Sequence, residues 1–138
     1  MPLDPEKIRL CREWLTIAAS DLRAALLLNQ ASPPFVDQAL YHCQQCAEKT
    51  LKAFLTWHEV PFRKPHNLDE LGSQCSAIDP GLEQVTREIR ILTAYGWMYR
   101  YPGTSEFEPS LEDAHDAHRR ASDAFRAFLA RLPTEVAR

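Results

Sequence analysis

Apolar residues recur along this chain at helical spacing, with almost no alternation of the kind that marks strands. Asp4-Pro5 predicts a helix start, Asp4 as N-cap and Pro5 in the first turn. From there Ile8, Cys11, Leu15, Ala18, Leu22, Ala25 and Leu26 form one apolar stripe. A second line runs through Leu10, Trp14, Ile17 and Leu28. One stripe suffices to dock a helix on a core, so two predict that this helix also meets a partner subunit. The turn at 29–34 carries two prolines. A second helix is expected over 35–57, with Val36, Ala39, Leu40, Cys43, Cys46, Ala47, Thr50, Leu51, Phe54 and Leu55 in one arc.

After a proline-bounded loop at 60–65, a short helical piece is expected over 67–74. A turn follows at 78–81, with Asp79 capping the next helix. That helix is expected over 82–99, with Leu82, Val85, Ile89, Leu92 and Gly96 on one face. Glycine inside a helix costs about 1 kcal/mol relative to alanine, so Gly96 predicts a backbone that approaches a neighbour closely. A loop at 100–109 leads to a last helix over 110–132, with Leu111, Ala114, Ala121, Phe125, Phe128, Leu129 and Leu132 inward. The expected fold is all-α: an up-and-down bundle of four long helices and one short one, in a single domain over 1–138.

Composition narrows the function classes. The chain has 138 residues and a formal net charge of −3, so no global basic field invites nucleic acid, although a local patch is compatible. No apolar run approaches a membrane span. Charged residues near the start, where a secretory signal needs an apolar core, and four cysteines together predict reduced thiols and a cytoplasmic location.

Cys43 and Cys46 form a CxxC, half of a zinc site or a redox pair. Both fall inside the apolar arc of a mid-helix segment, and neither Cys11 nor Cys75 supplies a paired spacing, so packing is the expected role and no metal site is assigned. The opposite side of the same helix presents Tyr41, Gln45, Glu48 and Lys52 in one stripe, flanked by His42 and Lys49. A solvated face is the ordinary explanation of such a stripe. Gln44 resists it, because it projects at the edge of the apolar arc, where a buried amide needs partners.

Arg100-Tyr101-Pro102 follows Tyr95, Trp97 and Tyr99. An inward arginine needs an anion or carbonyls. Two readings stand side by side: a structural ion pair with Asp21 or Glu48, and a contact to a phosphate helped by aromatic stacking. His66 follows a proline in a capping or loop position. His118, three residues after His115, falls in the apolar arc of the last helix, where a satisfied core histidine is the usual occupant. No glycine-rich phosphate loop, HExxH or nucleophile elbow occurs.

In AASDLRAALLL at 18–28, YHCQQCAEKTLKAFL at 41–55, PHNLDEL at 65–71 and MYRYPG at 98–103, the chain resembles the HEPN family of small helical domains. The resemblance implies a bundle of four or five helices that commonly dimerises and is often paired with a minimal nucleotidyltransferase, as in toxin-antitoxin or nucleotide-handling pairs. Many such domains are metal-independent ribonucleases, using an arginine followed four to six residues later by a histidine in a dimer cleft. Here Arg100 matches the arginine, but residues 101–107 contain no histidine, which argues against catalysis. The expectation is a homodimeric binding subunit for a nucleotidyltransferase, a nucleotide or RNA. Arg100, Tyr101, Lys49, Lys52, Glu48 and Gln45 would form its ligand surface, with no cofactor. The rivals are a ribonuclease in which His118 or His66 replaces the missing histidine beside Arg100, and a structural adaptor bundle.

Overall fold

The computed structural model describes residues 3–63, 67–98, 102 and 108–137. Among them the chain is all-α. Helix α1 spans Pro5–Gln30, α2 Val36–Trp57, α3 Leu68–Ile78, α4 Glu83–Ile89, α5 Leu111–Leu129 and α6 Thr134–Ala137. Two 3-10 segments, Pro80–Leu82 and Arg90–Gly96, flank α4. None of the helices is long and apolar enough to cross a membrane.

Side-chain capping explains three of the six helix starts. Asp4 accepts from the Glu6 amide at 3.0 Å with Pro5 in the first turn, as its position predicts. Asn67 accepts from the amides of Asp69 and Glu70. Ser110 and Asp113 close a reciprocal capping box at the start of α5, satisfying two backbone donors that a helix N-terminus otherwise leaves open.

Helices α1 and α2 form an antiparallel hairpin. The Phe35 amide donates to the Leu28 carbonyl at the turn, at 3.0 Å. At the far end the Cys11 thiol lies 3.6 Å from the Ala53 carbonyl. Helix α5 runs antiparallel to α1 and lays a line of small residues (Ala114, Ala117, Ala121, Ala124) into the core, ending at Phe128. Alanine at these positions lets the helix axes approach closely, and Phe128 meets Phe54 edge-on with ring centroids 5.2 Å apart. Helices α3 and α4 close the remaining side. Cys75 reaches the Leu51 carbonyl, and Gly72 faces Thr86 so closely that a Cβ there would lie 3.2 Å from the threonine Cβ.

Nine of the ten residues expected in the α2 arc are fully buried, and Val36 packs at the edge. Elsewhere the structure corrects the reading. Leu26 and Leu111, both expected inward, are 42% and 37% exposed. Leu111 is the first residue of α5, and Leu26 projects away from the buried line that Ala25 and Asn29 continue on α1. The short helix continues to Ile78 rather than ending near residue 74. The last helix ends at Leu129 and the chain refolds as α6, with Val136 buried and Arg12 donating to the Glu135 carbonyl at 2.7 Å.

The largest departure is at 82–99, where one continuous α-helix was expected. The α-helical part stops at Ile89, and the next seven residues wind as a 3-10 helix. Ile89, Ile91 and Thr93 are β-branched and Gly96 is a poor helix former, so local preference for the α form is weak there. The expected inner face survives: Leu82, Ile89 and Leu92 are buried and Val85 packs against the core.

Candidate functional site

The polar side of α2 folds into a connected ladder. Lys52 donates to Glu48 at 2.6 Å, and Lys49 donates to the Gln45 carbonyl oxygen at 2.8 Å while its Nζ lies 3.5 Å from Glu48. The Gln45 amide nitrogen lies 2.7 Å from Gln44 Oε1 and 3.3 Å from Glu48 Oε2. Spacings of three and four residues put these side chains on one helix face. The ladder is not the solvated face that charged residues usually form. Gln44 and Glu48 are fully buried, Lys52 is 6% exposed, and Gln45 and Lys49 are half-buried.

Neighbouring elements supply the cover. Lys52 Nζ sits 5.5 Å from the Trp14 ring and 5.6 Å from Phe62, which meet edge-on at 6.2 Å. Two aromatic faces and one carboxylate thus replace the ammonium's water. Trp14, expected on the outward line of α1, turns out to be half-buried in this role. Gln44 meets Gly96, where a Cβ would lie 3.0 Å from both Cδ and Oε1 of the amide. That contact is the close approach expected of the glycine. Farther along the hairpin, His42 Nδ1 lies 2.8 Å from Asp21 Oδ1, and the Tyr41 ring stands edge-on to His42 at 5.4 Å. With Nδ1 held by the carboxylate, Nε2 is the nitrogen left to face outward.

Two lysines therefore share one buried carboxylate, which leaves one positive charge in excess among the described members of the ladder. Water compensates such a charge poorly at a half-buried position. Chemically, the arrangement suits an anion approaching Lys49, with the Gln45 amide beside it.

The structure brings together Gln45, Glu48, Lys49 and Lys52, four of the residues expected at the site. It also divides them, since Glu48 and Lys52 are interior supports and only Gln45 and Lys49 reach the surface. Arg100, Tyr101 and His66 lie outside the described residues. His118 is half-buried at the seam of α5 with α1, whereas the ladder lies on α2. Burial holds His118 below the ordinary histidine range; a backbone hydrogen bond to Leu22 opposes this and the neighbouring His115 adds to it. Cys43 and Cys46 are packing residues: both are fully buried, and burial pushes the Cys43 thiol up to about 12 and Cys46 higher. Sequence reasoning named Asp21 only as a partner for Arg100, put Trp14 on the outward line of α1, and missed Phe62. The available signal was the seven-residue spacing of Lys7, Trp14 and Asp21, which places all three along the edge of α1 that faces α2.

An all-helical bundle built around a helix with a buried Gln-Glu-Lys ladder defines the class of protein. The HEPN domain family model matches residues 11–131, and the chain belongs to the HEPN family. No curated protein and no solved structure matches it.

Proposed function

We propose that this HEPN protein is a homodimeric binding subunit that takes an anionic ligand, a nucleotide or an RNA phosphate, at Lys49 and Gln45, with Arg100 and Tyr101 completing the contact. In this reading it serves a nucleotidyltransferase partner and is not itself the catalyst. The observation that carries it is the sharing of Glu48 by Lys49 and Lys52, which places two cations against one carboxylate among the described residues. The dimer is supported by Leu10 and Ile17, seven residues apart on α1 and 38% and 46% exposed, a spacing that suits packing against another helix. The test is calorimetric titration with AMP and a short single-stranded RNA. Wild type should bind at least one of them, and Lys49→Gln should lose at least tenfold in affinity while its thermal transition stays put. Absence of binding to either probe, or unchanged affinity in Lys49→Gln, removes the reading.

A second reading, metal-independent RNA cleavage, is favoured by one observation: His118 is half-buried, and burial lowers its ionisation below the ordinary histidine range, the direction that suits a general base. Cleavage that disappears in both Arg100→Ala and His118→Asn would support it, and cleavage that persists in either would sink it.

A further inference from the structure

Seven consecutive residues of 3-10 helix at Arg90–Gly96 exceed the three or four at which such runs normally stop. The segment runs between an α-helix and a turn at Trp97 and Met98. Helix α4 precedes it, and the Met98 amide already donates to the Ala94 carbonyl four residues back, at 2.8 Å. Its Thr93 hydroxyl is buried with no hydrogen-bond partner among the described residues. In an α-helix that hydroxyl would find the carbonyl of Ile89, four residues earlier. The orphaned hydroxyl therefore favours the α form, against the weak α preference of the β-branched residues and Gly96.

At Gly96 the backbone lies against the buried Gln44 amide. We infer that Arg90–Gly96 is a two-state segment, 3-10 when latched on Gln44 and α-helical when released, and that it regulates the ladder on α2. The latch is wired to the candidate site: Lys49 holds Gln45, and Gln45 holds Gln44 Oε1. An anion that draws Lys49 away frees Gln45, then Gln44, and so removes the contact that fixes Gly96.

The geometric consequence follows from the two helix forms. A 3-10 helix rises about 2.0 Å per residue at three residues per turn, against about 1.5 Å at 3.6. Rewinding seven residues shortens the segment by about 3.5 Å and turns its end by about 140°. Ile91 and Trp97 are 53% and 51% exposed and share a face only while the period is three. In the α form they part. The trigger rests on the anion-binding reading; the existence of the two states does not.

Nuclear magnetic resonance of the full chain separates the two. Without ligand, the amides of 90–96 should show microsecond-to-millisecond exchange together with the (i, i+2) contacts of a 3-10 helix. Gly96→Ala, which crowds Gln44, should bring up the (i, i+4) contact between Arg90 and Ala94. If that variant does not fold, Thr93→Val still decides: it removes the hydroxyl that only the α form satisfies and should reduce the exchange contribution at least twofold. Gln45→Ala should alter exchange at 90–96 with no ligand present. A wild type without exchange, or a Thr93→Val protein with unchanged exchange, overturns the two-state segment, and an inert Gln45→Ala overturns its link to the ladder. AMP that shifts Lys49 but leaves 90–96 unchanged overturns the regulation and spares the binding reading. Failure of AMP to shift Lys49 counts against the binding reading, and the ligand-free comparison still stands.

Discussion

Two charge networks run along this bundle. On α4 and α5 the pairs are numerous: Arg119 with Asp116 at 2.9 Å and Asp123 at 3.3 Å, Arg120 with Asp116 at 2.7 Å and Glu88 at 3.4 Å, Arg126 with Asp123 at 2.7 Å. On α2 one carboxylate serves two lysines. The surface network has the larger count and comparable distances, yet its side chains lie between 24% and 71% exposed, whereas Glu48 is at 0% and Lys52 at 8%. Water and salt screen the first set and hardly touch the second. Location, and not number or length, decides which network the fold depends on.

The contrast is broken most severely by Glu48→Ala, which strands Lys52 in its aromatic enclosure. Loss of one partner of a buried pair costs about 3–5 kcal/mol, so chemical denaturation should show a large fall in midpoint; a loss under about 1 kcal/mol would place this pair with the surface ones. Next in size is Thr93→Val. It removes a buried hydroxyl that lacks a partner and preserves its shape, so it should raise stability by about 1 kcal/mol. A measured loss would mean that the hydroxyl is satisfied.

Acidification gives a smaller effect with a defined sign. His118 has its folded value below the ordinary one of about 6.5. The unfolded chain therefore takes up that proton first, and stability declines as pH falls through the ordinary histidine value, then levels off below the folded one. His118→Gln should remove this step from a plot of urea midpoint against pH. Asp116, held low chiefly by its hydrogen bond to Arg120 and further by Arg119, acts in a separate window: its contribution is present above the ordinary carboxylate value and lost below it. Smallest of all is Arg119→Ala, expected within about 0.5 kcal/mol. A larger loss at low salt only would show that the surface network acts as a unit.

The helices with a single strong apolar arc were legible, because burial of that arc outweighs every other local term. Almost the whole α2 arc could be listed from spacing alone, and Gly96 announced a close neighbour by being costly where it stands. The neighbour itself was not legible, since Gln44 lies fifty-two residues away and only the topology joins them. The change of winding after Ile89 escaped for a related reason: weak β-branched preference says that α is not secure, but not what replaces it. At the site, spacing put Gln45, Glu48, Lys49 and Lys52 on one face, and nothing in α2 said that half of them would be interior. That depended on Trp14 and Phe62, which come from two other segments.

Four thiols, one on α1, two on α2 and one on α3, all have zero exposure, and burial raises each above its ordinary ionisation range, Cys11 to about 11. Each is silent toward an alkylating reagent until the seam around it parts. The chain therefore carries its own set of clocks. Labelling at Cys75 times the parting of α3 from α2, Cys11 times the opening of the hairpin, and Cys43 with Cys46 record the moment the middle of the bundle comes apart.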